Sequence, residues 1–245
     1  MATLRAEVFD DASVEDPRRD DIGVVLNACE LRTGSSFRFG SRESRCWRFG
    51  AIKGNQVGVA EAVAASVAYP LLLPALDRIF TFVDREGREE ACHRVLLTDG
   101  GVFDNLGTTC LEPGQDASIG SNTYEPEYII CCDAGPGQFD ATTHPYGWAT
   151  RMTRSFSTTH RQTQHGIQSR LHHCREHETI NGFIYAYLGQ IDNRLPYKPA
   201  DLVPRDRVVN YPTDFSAMPE QDIDALSCRG EQLTRMLIEF YCPEL

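Results

Sequence analysis

The stretch Val95-Leu96-Leu97-Thr98-Asp99-Gly100-Gly101 constrains this chain more than any other. Three apolar residues in a row, too few for a helix and closed by turn residues, predict a buried strand that ends at Asp99. Gly100 and Gly101 permit positive φ and let another group approach the backbone without meeting a Cβ. In α/β proteins ligands bind where strands end at their carboxyl edge. Asp99 is therefore either a turn residue closing a strand or a carboxylate placed for chemistry.

Residues 22–29 and 128–132 are also almost continuously apolar, as parallel strands covered on both faces are. Residues 36–39 alternate in polarity, and 47–49 can pair back on them. Two further strands, 78–83 and 93–98, flank a turn at Asp84-Arg85-Glu86-Gly87, and residues 180–188 read as another strand. Helical periodicity marks 57–69, rich in alanine and ended by Pro70, then 148–175, as one long helix or two separated near Gly166, and 223–240. Leu71-Leu72-Leu73-Pro74 reads as buried irregular chain, and residues 111–126 and 190–219 as polar loop and extended surface chain. Strands alternating with helices predict an α/β fold, a mostly parallel sheet between helical layers. No shift in composition marks a second domain, so residues 1–245 read as one domain, with 1–21 a surface or cut-edge segment.

A net charge of -11 argues against nucleic acid, whose phosphates need Lys and Arg to replace their counterions. No apolar run approaches the length of a membrane helix. Residues 1–21 lack the basic start and apolar core of a signal peptide, so the expected location is the cytoplasm. Nine cysteines without any C-x-x-C predict reduced, mostly buried thiols.

Four other constellations carry weaker signals. Asp133-Ala134-Gly135 repeats the Asp-to-glycine turn with no further polar partner in the sequence, and reads as structural. His173 and His177 share a helical face at zinc-ligand spacing, near His172 and Cys174. With H-E-x-x-H absent and no third ligand identified, a solvated helix face is the better reading; no metal and no cofactor is expected. In the 148–175 helix, Trp148, Met152, Phe156, Ile167, Leu171 and Cys174 gather on one side, opposite Arg151, Arg154, Arg161, His165 and His172. That basic stripe is either a wet face or an attraction to anionic headgroups. Ser66 lies within a helix and packs there.

Three segments in order carry a resemblance. Asn27-Ala28-Cys29-Glu30-Leu31-Arg32-Thr33-Gly34, then Ala-Ala-Ser-x-Ala-x-Pro over residues 64–70, then Asp-Gly-Gly-Val-Phe-Asp-Asn over residues 99–105, together resemble the patatin-like phospholipase family, bacterial type. Cys29 and Glu30 stand as mild variants of that pattern. The resemblance implies a three-layer α/β/α fold and hydrolysis of lipid acyl esters by a Ser-Asp dyad. Asp99 would be the dyad aspartate, because a hydroxyl nucleophile needs its proton removed as it attacks. Gly100 and Gly101 would shape its loop, and Asn105 would brace it. The family's nucleophile elbow, G-x-S-x-G, and its glycine-rich oxyanion loop are both absent from this sequence. The chain thus reads as the C-terminal part of such a domain, truncated at its N-terminus. It carries the aspartate without the serine, and by itself is expected to be inactive and poorly soluble through an exposed sheet edge. The alternative is an inactive remnant that binds lipid or protein. Expected partners are a lipid or other acyl ester, with peripheral membrane contact.

Overall fold

The structure is a computed structural model; it describes residues 2–16, 19, 21–70, 72–84, 86–115, 123–137, 144–212 and 216–245. The chain forms two compact units. One comprises Met1–Glu125 with Thr158–Ile167, the other Pro126–Ser157 with Gln168–Leu245.

The first unit is a closed antiparallel barrel, which overturns the expected three-layer fold and its mostly parallel sheet. Its strands are β1 (Val25–Glu30), β2 (Ser35–Gly40), β3 (Arg45–Cys46), β4 (Gly50–Ile52), β5 (Leu76–Val83) and β6 (Glu90–Asp99). Each pairs antiparallel with the next, and β1 closes the ring by pairing antiparallel with β6, Ala28 opposite Asp99. Connection length is the physical reason. Parallel neighbours need a crossover of a dozen residues or more, whereas a tight turn can only fold a strand back on itself. The links after β1, β2, β3 and β5 are all short, and Asp84 closes the β5–β6 turn by accepting the Arg88 N–H on its carboxylate (2.7 Å). Continuously apolar strands, read as parallel, are here walls of a filled barrel. Closure also removes the open sheet edge expected of a truncated domain.

Phe37, Phe39, Phe82, Val95 and Leu97 fill the barrel and are buried. Phe37 stacks tilted on Phe39 at 4.9 Å and meets Phe82 edge-on at 6.2 Å. The alanine-rich helix, shorter than its periodicity predicted, sends Ala62 and Ala65 into the same core. A glycine is required at the β3–β4 turn, where Gly50 has φ +96° and a Cβ would stand 2.0 Å from the Val83 carbonyl oxygen. The N-terminal turns, α1 (Ala2–Leu4) and a π-helical turn (Arg5–Phe9), are largely exposed. Val14 enters the barrel core, and Ser13 bridges to Gly58 just before α2 (Val59–Ser66).

Glu30 explains why β1 turns where it does. Fully buried, its carboxylate accepts the Thr33 N–H (2.8 Å), the Thr33 hydroxyl (2.6 Å) and the Leu96 N–H (3.2 Å). It ties the turn to β6 and meets three donors, as a buried carboxylate must. Leu72, expected to be buried, is 61% exposed; Leu71 and residues 116–122 lie outside the described residues.

The second unit holds the parallel pair β7 (Tyr128–Asp133) and β8 (Gly182–Tyr187), in register Tyr128 with Gly182. Between them in sequence comes α4 (Trp148–Glu176), unbroken at Gly166, and after them α5 (Glu220–Tyr241). The link between β7 and β8, which carries α4, has the length that parallel pairing requires. Leu237 and Cys242 pack on Ile184 and Ala186. Arg229 of α5, fully buried, donates to the carbonyls of Leu188 (2.8 Å), Val203 (2.7 Å) and Gln190 (2.6 Å). Residues 190–212 are thereby anchored, although polar in sequence. Along α4 the expected apolar stripe divides: Ile167 and Leu171 are buried, while Trp148, Met152 and Phe156 are exposed.

Candidate active site around Asp99

Asp99 is the last residue of β6, and hydrogen bonds from the end of α2 hold it there. Its N–H donates to the Ala68 carbonyl (3.1 Å), which also accepts the Thr98 hydroxyl (2.6 Å). The chain then passes so close to β1 that a Cβ on Gly100 would stand 2.4 Å from the Asn27 carbonyl oxygen. Only glycine fits. Gly100 has φ −62°, and Gly101 too lies outside the left-handed region, so close approach is what glycine supplies here and the expected positive φ is absent.

The Asp99 carboxylate is partly buried, and its Oδ1 accepts the Gly101 N–H (2.6 Å). Among the described residues nothing donates to its Oδ2. Burial pushes the carboxyl above its ordinary value, since water no longer solvates the anion fully. The Gly101 N–H and then the His160 imidazole oppose that rise. A Cβ on Gly101 would stand 2.9 Å from Asp99 Oδ1, 2.9 Å from Asn105 Oδ1 and 3.6 Å from His160 Nε2. Three polar side chains therefore ring the space that the missing Cβ leaves open.

Below that ring, α3 (Gly101–Asp104) makes a single turn, with the Phe103 and Asp104 N–H groups both reaching the Gly100 carbonyl. The bracing runs through Asp104, which is buried. Its Oδ2 accepts the Thr109 N–H (3.0 Å) and hydroxyl (2.5 Å), and Arg38 donates to that same hydroxyl (2.7 Å). Asn105 faces the Gly101 space and makes no side-chain hydrogen bond among the described residues.

Asp99, Gly100, Gly101 and Asn105 are thus brought together, and the segments at 27–34 and 64–70 meet them. His160 and Asp104 were not singled out from sequence. His160 left a signal: it follows Phe156 by four residues, a polar group on the apolar side of α4. Asp104 left only its place in the Asp-Gly-Gly-Val-Phe-Asp-Asn run. Ser66 ends α2, far from any strand-to-helix elbow in sequence.

Asp133 has a partner after all. Its Oδ1 accepts the Gly135 N–H (2.7 Å), and its Oδ2 accepts the Tyr185 hydroxyl (2.5 Å). Burial, and then that bond to a carboxylate, push the Tyr185 hydroxyl far above its ordinary value. His173 and His177 meet edge-on at 4.1 Å, both exposed, and among the described residues no group of three potential ligands gathers. Surface hollows lie along α5, at Thr234 and Ile238, and beside the start of α2, at Ser13 and Gly58; neither reaches Asp99.

No protein family matches the chain, and neither does any curated protein. No helix among the described residues is long and apolar enough to cross a membrane.

Proposed function

We propose that Asp99 is the proton-accepting carboxylate of an acyl-ester hydrolase site, one whose serine nucleophile these 245 residues do not carry in G-x-S-x-G form. The observation that carries the reading is the state of the carboxylate. It is partly buried, raised above its ordinary value, pinned through Oδ1 and, among the described residues, left without a donor on Oδ2. A base needs a lone pair aimed at open space and an affinity for protons closer to neutrality than a solvated carboxylate has. The meeting of all three motif segments at this residue supports the resemblance to patatin-like phospholipases as local chemistry, independent of the barrel around it. On this reading the substrate is a lipid ester, met by a cytoplasmic protein at a membrane surface.

The test measures p-nitrophenyl ester hydrolysis and fluorophosphonate labelling on the 245-residue chain and on the product of the full native reading frame. The reading expects no labelling of the former. It expects turnover of the latter wherever a G-x-S-x-G serine accompanies Asp99, falling at least about a hundredfold in Asp99→Asn. Turnover indifferent to Asp99→Asn would sink it. The second reading, an inactive lipid- or protein-binding module, is favoured by the missing elbow, and wins if both products stay unlabelled while either binds vesicles.

A further inference from the structure

The two ends of α4 have opposite surroundings. Leu171 is fully buried, but at the other end Trp148 is 80% exposed, Met152 56%, and Tyr146 just before the helix 85%. Trp148, Met152 and Phe156 recur every four residues and so share one face. An exposed stripe of this size and composition is unusual on a protein surface unless something covers it.

Charge says what covers it. From Trp148 to Arg175 the sequence has no Asp or Glu, against Arg151, Arg154, Arg161, Arg170 and Arg175, in a chain whose net charge is -11. Although opposite the apolar side of the helix taken whole, Arg151 is exposed and only about 60° round the helix from Trp148. A helix with Trp and Met on one side, an Arg at their edge and no acid is built to lie in the plane of an anionic bilayer surface. Trp and Tyr prefer the headgroup level, where the ring is apolar and its N–H or O–H stays wet.

We propose that residues 144–157, the His144–Tyr146 approach and the first turns of α4, dock this protein onto anionic phospholipid bilayers. Tyr146, Trp148 and Met152 enter the interface, and Arg151 faces the headgroups. The proposal rests on the lipid-ester reading for the kind of surface met, but the two fail separately: vesicle binding by the 245-residue chain, with turnover of the full reading frame's product indifferent to Asp99→Asn, keeps this one and loses the other.

The experiment sediments the 245-residue chain with phosphatidylcholine vesicles, with and without phosphatidylglycerol, at low and high salt. Trp148 fluorescence is read in a Trp47→Phe background, so that one tryptophan reports. Expected are binding at least about tenfold tighter with phosphatidylglycerol, weakening with salt, and a blue shift of Trp148. Trp148→Ser with Met152→Ser removes the binding and leaves the thermal melt unchanged, these positions being exposed. Arg151→Gln weakens binding to the anionic vesicles about fivefold and leaves any residual neutral binding alone. Equal binding to both vesicle types, or binding indifferent to the Trp148 and Met152 changes, overturns the proposal. A dimer that the same two changes convert to monomer, with no vesicle binding by the original chain, overturns it in favour of a second copy as the occupant.

Discussion

Asp99 and Asp133 occupy the same local turn and differ in what reaches their second oxygen. Each ends a strand, and each binds the N–H of the glycine two residues on through Oδ1. At Asp133 the Tyr185 hydroxyl takes Oδ2 and leaves the carboxylate a structural acceptor. At Asp99 burial acts on a carboxylate with one oxygen unclaimed among the described residues, and the native state binds its proton more tightly than the unfolded chain does. Such a group favours the native state at low pH and withdraws that advantage as pH rises from the unfolded value through the raised native one. Asp99→Asn keeps an acceptor for the Gly101 N–H and removes the burial of a charge. We therefore expect the variant to melt higher than the original chain at neutral pH, with the difference vanishing below about pH 4. Thermal melts between pH 3 and 8 check this; a variant that melts lower at neutral pH shows that the carboxylate stabilises the loop. A gain in stability on losing the acid is what a residue kept for function, at some cost to the fold, should show.

At the scale of single elements, polar side chains decide where chain that looks irregular comes to rest. The segment 190–212 has few apolar residues to bury, and its order depends on Arg229 and Gln232 of α5. Gln232 donates to the Asp201 carbonyl (2.9 Å) and accepts the Val203 N–H (3.0 Å). Asp192 lies at ion-pair distance from Arg229, 3.0 Å, without the alignment of a hydrogen bond, while its other oxygen accepts the Arg205 N–H (3.1 Å). Removing the guanidinium leaves three carbonyls without their donor and the Asp192 carboxylate without its counter-charge. Arg229→Ala should cost about 3–5 kcal/mol, read as a fall in the urea midpoint of the second unit. Arg229→Lys should recover little, since one ammonium cannot fork to three carbonyls. A loss below about 1 kcal/mol in the alanine variant would show the clamp to be incidental. None of this was visible in sequence, where Arg229 is one more cation on an amphipathic helix.

For the molecule as a whole, thiol accessibility tests the barrel directly. All nine cysteines are free; Cys29, Cys46, Cys110, Cys131 and Cys242 are buried, and Cys92, Cys132 and Cys228 are exposed. Burial pushes the Cys29 and Cys46 thiols up, so they are shielded and less ionised at once. A thiol reagent at pH 8 should modify Cys92, Cys132 and Cys228 rapidly and the buried five only on unfolding. Rapid modification of Cys29 or Cys46 in the native chain would mean that the barrel is open.

Most elements of this protein were legible as local pattern: the alanine-rich helix, the β5–β6 hairpin with its turn, β7 and β8, and the long α4. Periodicity and turn residues act within about a dozen positions, so the chain states them itself. The Asp99 stretch was legible for the same reason, since a strand end, an acid and two glycines are neighbours in sequence. Which strands pair, and in which direction, is a long-range outcome. An apolar strand looks alike in a parallel sheet and in a filled barrel, and only the short connections argued for the latter. Tertiary structure alone brought His160 from α4 to Gly101 and set Asn27 against Gly100, because those contacts join residues 59 and 73 positions apart. It also decided that burial would act on the Asp99 carboxylate: a proton affinity depends on everything around the group, and sequence order records only what comes before and after it.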